Sequence, residues 1–244
     1  MELPGTTALV TGAAHRLGRQ ITLALAAAGA NVVVHYKDSA TAAADTVRLA
    51  RQSGVDALAV EADASDPQQV DRMLESIFAR FARIDLFVAN AGAFRRTPLA
   101  TLGEADWDDM IRLNFDTFLV PAQRIGRRMQ EQGAGSIIAL ADVAGVRPWA
   151  HYAPYSIAKS SVIAYARALA RRLAPAVRVN CIAPGPILFP PAYDLDAQRR
   201  EISRSLLKRQ GDPRHISDAV LYLARSDYIT GTLLPVDGGR LLAS

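Results

Sequence analysis

The chain has 244 residues, half of them hydrophobic and 21% charged, a balance that suits one sizeable α/β core and excludes an intrinsically disordered protein. The single cysteine, Cys181, excludes an internal disulfide, and four scattered histidines (His15, His35, His151, His215) lack metal-ligand spacing, so no metal is expected. The net charge of +4 is spread along helical segments rather than gathered in one basic stretch, which argues against nucleic-acid binding and for solubility or attraction of an anionic cofactor.

Thr7–Val10 reads as a first strand, reached too early for a signal peptide to precede it. No apolar run approaches the roughly 20 residues of a membrane span, so the cytoplasm is the expected location. The strand runs into Thr11-Gly12-Ala13-Ala14-His15-Arg16-Leu17-Gly18 and a helical pattern over Leu17–Ala28. Glycine admits close approach of backbone to a phosphate, and a helix N-terminus offers free N–H groups and a positive dipole. Arg16 adds a fixed cation there, which favours a doubly phosphorylated nucleotide.

A second strand, Asn31–His35, leads through Tyr36-Lys37-Asp38-Ser39 to a helix over Thr41–Gln52. Its end belongs near an adenosine ribose, where Lys37 and Ser39 suit a 2′-phosphate and Asp38 suits free ribose hydroxyls. NADP(H) is the expected cofactor over NAD(H), because Arg16 and Lys37 have no task with the latter. After a third strand, Ala57–Val60, Asp63 either accepts from an adenine amino group or caps the helix Gln68–Arg80. The fourth strand, Ile84–Ala89, is followed by Asn90-Ala91-Gly92, small residues that let backbone pass close to a nicotinamide ribose, and by Phe94.

One long helix is expected over Glu104–Gln130, carrying Asn114, and a fifth strand over Ser136–Leu140, ending beside Asp142. A helix over Tyr152–Leu173 places Tyr155 and Lys159 four residues apart on one face. A sixth strand, Val177–Ile182, opens onto Pro184-Gly185-Pro186-Ile187-Leu188, the start of a long loop (about 184–209) of the kind a compact domain keeps for binding. A helix over Ile216–Leu223 and a strand over Leu233–Val236 complete the pattern. Such alternation predicts a single domain over 1–244: an α/β, doubly wound Rossmann fold with a parallel seven-stranded sheet and helices on both faces.

A tyrosine of pKa ~10 is a poor acid-base catalyst at neutral pH, and a neighbouring ammonium and an oxidised nicotinamide both favour its phenolate. Lys159 is therefore expected to lower the pKa of Tyr155 and to hold ribose hydroxyls. Asp142, when ionised, cannot steady an oxyanion; it either stays protonated or serves a substrate other than a simple ketone, or it is a loop aspartate satisfying backbone N–H groups.

The glycine turn, Asn90-Ala91-Gly92, Asn114, Tyr155 with Lys159, Pro184-Gly185 and Thr230-Gly231 before Val236-Asp237-Gly238-Gly239 together resemble the short-chain dehydrogenase/reductase family over nearly the whole chain. The resemblance implies hydride transfer with NAD(P)(H), Tyr155 as proton donor, Lys159 supporting it, Asn114 ordering a water in a proton relay, and a homotetramer. Arg16 in the middle glycine position, the His35-Tyr36 entry to the ribose loop and Asp142 in place of the usual serine resemble the pteridine reductase and dihydrofolate/dihydromonapterin reductase branch. That branch implies Phe94 stacking on a pterin ring, with a hydrophobic lid contact as its alternative.

On this reading the nucleotide is held by Gly12, Arg16, Leu17, Gly18, His35, Tyr36, Lys37, Ser39, Asp63, Asn90, Ala91, Gly92, Tyr155, Lys159, Pro184, Gly185 and Ile187. The substrate meets Arg16, Phe94, Asp142, Tyr155, Pro186 and Leu188, and catalysis rests on Asp142, Tyr155, Lys159 and Asn114. The expected activity is NADPH-dependent reduction of a dihydropterin or dihydrofolate. The alternative is a carbonyl reductase or alcohol dehydrogenase of 3-oxoacyl or sugar-alcohol type on the same scaffold.

Overall fold

Short runs of valine, isoleucine, leucine and alanine form strands whose two faces are both covered, as expected of a parallel sheet. A computed structural model describes residues 1–190 and 192–243, so Pro191 of the long loop lies outside the described residues. In chain order the elements are β1 (Thr7–Val10), α1 (Arg16–Ala27), β2 (Asn31–Tyr36), α2 (Ala40–Arg51), β3 (Ala57–Glu61), α3 (Pro67–Arg80), β4 (Leu86–Ala89), α4 (Glu104–Ile111) and α5 (Thr117–Gln132). They continue with β5 (Gly135–Leu140), α6 (Ala153–Leu173), β6 (Val177–Pro184), α7 (Leu195–Ser203), α8 (Pro213–Arg225) and β7 (Leu233–Val236).

All seven strands are parallel, in the order β3-β2-β1-β4-β5-β6-β7. The order reverses at β1 and β4, and the crevice beyond their carboxyl ends is where such sheets bind ligands. One core layer joins Leu9, Phe87 and Ile137 to Val70 and Ile77 of α3, Ile125 and Met129 of α5, and Val162 of α6. The other joins Val10, Val34 and Leu86 to Ile21 and Leu25 of α1, Val47 of α2, and Val220 and Leu223 of α8. Each large side chain buried this way contributes roughly 1.5–3 kcal/mol, enough to fix which helix covers which face.

Two expectations are corrected. The single helix over Glu104–Gln130 is instead α4 and α5 joined by a π-helical turn, Arg112–Asp116. A residue inserted into a helical turn leaves the apolar periodicity on either side nearly intact, so pattern alone does not register it. The long loop contains α7, whose start is set by Asp194: its carboxylate accepts from the backbone N–H of Ala197 at 2.7 Å. Among the described residues no helix is long and apolar enough to cross a membrane, and no group of three metal-ligating side chains converges.

Candidate active site

The glycine turn is riveted from both sides. Asn90 donates through Nδ2 to the carbonyls of Thr11 (2.9 Å) and Gly12 (3.2 Å), while the Thr11 hydroxyl accepts from the N–H groups of Asn90 and Ala91. A Cβ on Gly18 would lie 2.1 Å from the carbonyl oxygen of Gly12, so only glycine lets α1 start this close to the turn. Arg16 has φ +52°, a left-handed conformation that costs a non-glycine residue about 1 kcal/mol or more. Its guanidinium donates to the carbonyl of Phe189 (3.2 Å) and lies 3.4 Å from that of Leu188, spanning from the turn to the loop after β6.

His35, expected at the nucleotide, is instead buried beneath the turn. Its Nδ1 accepts from the N–H of Gly12 (3.1 Å) and its Nε2 donates to the carbonyl of Ala62 (3.0 Å). The alternation of β2 turns this side chain inward, to support the turn rather than touch a ligand. Burial lowers its pKa to about 4, against the opposing effect of the Ala62 carbonyl. Stability from the neutral imidazole is therefore complete above pH 6.5 and lost as pH falls towards 4, because the unfolded chain takes up the proton first. Denaturant unfolding should show a loss of about 2–3 kcal/mol between pH 7.5 and 4.5 from this group, and His35→Asn should remove most of that slope.

At the end of β2, Lys37 lies 2.7 Å from Asp63, and the other Asp63 oxygen accepts from the hydroxyl and N–H of Ser65. Burial raises the Asp63 pKa, but its bonds to Lys37 and Ser65 outweigh that and hold it at about 2. Lys37 and Asp63, expected to meet phosphate and adenine separately, thus neutralise each other across β2 and β3. The cap of α3 is Asp66, which accepts from the N–H groups of Gln68 and Gln69; the alternative role for Asp63 is corrected accordingly. Tyr36 and Ser39 are partly exposed on the same edge.

The reaction centre joins α6 to the turn after β5. The Tyr155 hydroxyl donates to Asp142 Oδ2 at 2.8 Å, and Asp142 Oδ1 accepts from the N–H of Ala144 at 2.7 Å. Asp142 therefore satisfies a backbone N–H, one of the alternatives from sequence, and also bonds Tyr155. A Cβ on Gly145 would lie 2.8 Å from the carbonyl carbon of Lys159, so this turn packs directly on α6 and fixes the pair. Lys159 is buried and donates to the carbonyl of Leu140 at 2.9 Å. Asn114 lies in the π-helical turn: Nδ2 donates to the carbonyl of Met110 (3.1 Å) and Oδ1 accepts from the N–H of Ala93 (3.1 Å). Gly92 faces both polar groups, since a Cβ there would lie 2.8 Å from Asn114 Oδ1 and 3.6 Å from Lys159 Nζ.

The electrostatics reverse one expectation. Burial, then the Asp142 carboxylate, raise the Tyr155 pKa well above its usual value, while Lys159 spends a donor on Leu140. Burial lowers Lys159 and raises Asp142; the latter is opposed by the Ala144 and Tyr155 bonds and by the charges of Lys159 and Arg240. Tyr155 is thus held as a protonated phenol whose hydroxyl donates to Asp142.

Leu17, Gly92, Phe94, Asp142, Tyr155 and Pro186 all line one cleft of about 870 Å³. Pro184, Gly185, Ile187 and Leu188 line it too, with most of the Ile187 side chain packed into the core layer under α8. Phe94 stacks on Tyr152 (4.6 Å between centroids) and meets Tyr155 edge-on (5.0 Å), so part of its ring surface is already covered. Sequence reasoning missed Trp149, Tyr152, Tyr193, Glu201 and Arg240 in the same lining, residues that no local motif joins.

The residues fit a dinucleotide on a specific observation: α1 begins with no side-chain cap and no acidic residue in its first turn, leaving its N–H groups and positive dipole end for a phosphate. A doubly wound sheet with that turn, and with a tyrosine and lysine on one helix face at its carboxyl edge, defines a nicotinamide-dependent oxidoreductase. A family model described as Enoyl-(Acyl carrier protein) reductase matches residues 12–240. A 3-oxoacyl-(acyl-carrier-protein) reductase of Synechocystis sp. is 36% identical, covering 98% of both chains. The (2S)-((R)-hydroxy(phenyl)methyl)succinyl-CoA dehydrogenase subunit BbsD of Thauera aromatica is also 36% identical, covering 99% of both. The crystal structure of acetoin dehydrogenase from Enterobacter cloacae superposes with a TM-score of 0.89 at 31% identity, over 98% of this chain and 96% of that one. The chain belongs to the short-chain dehydrogenase/reductase family and is an NAD(P)(H)-dependent oxidoreductase.

Proposed function

We propose that the protein is an NADP(H)-dependent carbonyl reductase, acting on a 3-oxoacyl or related carbonyl group. The observation that carries this reading is the partly buried Asp142 carboxyl bonded to Tyr155 at 2.8 Å. Burial favours its neutral form, and a neutral carboxyl donates to a carbonyl oxygen as a serine hydroxyl would. The cofactor, when bound, supplies the hydride. Tyr155 delivers the proton to the substrate oxygen, Asp142 donates a second hydrogen bond to that oxygen, and Lys159 and Asn114 fix the polar floor beneath Gly92. The names of the relatives support the choice: they describe enzymes of 3-oxoacyl, hydroxyacyl and acetoin substrates. The preference for NADP(H) is supported by Arg16, the cation at the phosphate turn. A cytoplasmic homotetramer belongs to the same proposal, supported by the family resemblance.

A pterin-type substrate, the expectation from sequence, is the second reading. Asp142 favours it in a different protonation state: an ionised carboxylate accepts from a ring N–H or amino group, and the aromatic surface of Phe94 and Tyr152 suits a flat ring. The deciding experiment is NADPH oxidation with an acetoacetyl thioester, neutral ketones, dihydrobiopterin and dihydrofolate. Turnover of the thioester or ketones supports the first reading; turnover of the pterins alone replaces it with the second.

A further inference from the structure

One wall of the cleft leads away from the reaction centre. From Tyr155 the contacts run to Phe94 (5.0 Å), from Phe94 to Trp149 (6.3 Å), and from Trp149 to the guanidinium of Arg240, 5.8 Å from that ring's centroid. Arg240 arrives from the far end of the chain on a rigid turn. Asp237 accepts from the N–H groups of Gly239 and Leu241, and Gly238 and Gly239 both take left-handed backbone. A Cβ on Gly239 would lie 2.8 Å from Leu206, so the turn packs closely on the segment after α7.

The Arg240 side chain is only 12% exposed, and a guanidinium withdrawn from water needs an anion. Glu201 of α7 supplies one, but loosely. Its Oε2 lies 3.5 Å from Arg240, whereas its Oε1 is held at 2.6 Å by Arg204. Arg240 thus faces the cleft with a distant counter-ion that has a second, closer partner, and most of its five N–H donors are uncommitted among the described residues. A planar fork of this kind matches a carboxylate, and a single guanidinium balances its single charge.

We propose that Arg240 is a specificity-determining residue that receives a carboxylate on the substrate, with Glu201 as the counter-ion it exchanges, while the apolar or aryl part of that substrate lies along Phe94 and Trp149. The preferred substrate is then a carboxylate-bearing aryl carbonyl compound. The carboxylate contact stands independently of the carbonyl reading; only the identity of the reduced group rests on it.

The test is calorimetric binding of phenylacetate and phenylacetamide, which cannot react, to the protein saturated with NADP⁺ and, in parallel, NAD⁺. Phenylacetate should bind at least about tenfold more tightly than the amide, and Arg240→Ala should bring the ratio close to one. Glu201→Gln should tighten phenylacetate several-fold and leave the amide unchanged; this opposite sign decides the matter if the Arg240 variant fails to fold. Equal binding of acid and amide, or an Arg240→Ala change that weakens both alike, would overturn the proposal and leave Arg240 a packing residue. Benzoylacetate and its ethyl ester separate the two readings. If neither is reduced while phenylacetate binding follows the pattern above, the carbonyl reading fails and the carboxylate site stands; if both are reduced with equal KM, the site falls.

Discussion

Tyr155→Phe lowers kcat roughly a thousandfold, the scale on which a positioned general acid contributes, while the Kd for NADPH changes less than about threefold. The separation follows from geometry. Phenylalanine keeps the edge-on contact with Phe94 and the packing of α6, so the cleft retains its shape. What disappears is the hydroxyl that donates to Asp142 at 2.8 Å and that would deliver the proton to the substrate. Asp142 then loses one of its two hydrogen bonds; its pKa rises further, and Tm falls by a few degrees as one partly buried bond of about 1 kcal/mol is lost. Single-turnover hydride transfer, followed by NADPH absorbance, is the measurement. Retention of most of the native rate would remove Tyr155 from proton transfer.

Asp142→Ser gives opposite results under the two substrate readings, which makes it the most informative single change. For a carbonyl substrate Asp142 works in its protonated form, so native kcat/KM declines tenfold per unit as pH rises through the raised Asp142 pKa. Serine does not titrate there; the decline vanishes, and the variant exceeds the native enzyme by tenfold or more at the alkaline end. For a pterin-type substrate the ionised carboxylate is the working form. Native activity then falls as pH drops through the same pKa, and Asp142→Ser loses about a hundredfold at neutral pH. Asp142→Asn, which keeps an acceptor for the Ala144 N–H, controls for collapse of the turn. A pH profile identical in the native protein and both variants would exclude Asp142 from either mechanism.

The sheet was legible because each strand is a short apolar run bounded by glycine, proline or asparagine, and because parallel strands need buried residues on both faces. Tyr155, Lys159 and Asn114 were legible as residue types at informative spacings. What escaped were properties of distance. Lys37 and Asp63 are 26 residues apart and pair only because β2 and β3 are neighbours. Arg240 and Trp149 meet only because the chain's last turn folds over the loop after β5. His35 was visible, but which way it pointed depended on β2 register: one position earlier, where Val34 stands, the side chain enters the opposite core layer instead of supporting the glycine turn. The start of α7 had a local signal, Asp194 ahead of Leu195, obscured by the prolines before it.

The π-helical turn carries a consequence for how this protein tolerates change. An α-helix advances 100° per residue, so the extra residue in Arg112–Asp116 resets the phase between α4 and α5. Asn114 is aimed at Ala93 on one side of that reset, and Phe118, Ile125 and Met129 are aimed at the sheet on the other. Substitutions at the other positions of the turn leave both alignments in place, whereas losing one residue rotates one set away from its target. Segment length here therefore matters more than the identity of most of its residues: an insertion or deletion between α4 and α5 should cost this protein either the Asn114 contact or the core contact.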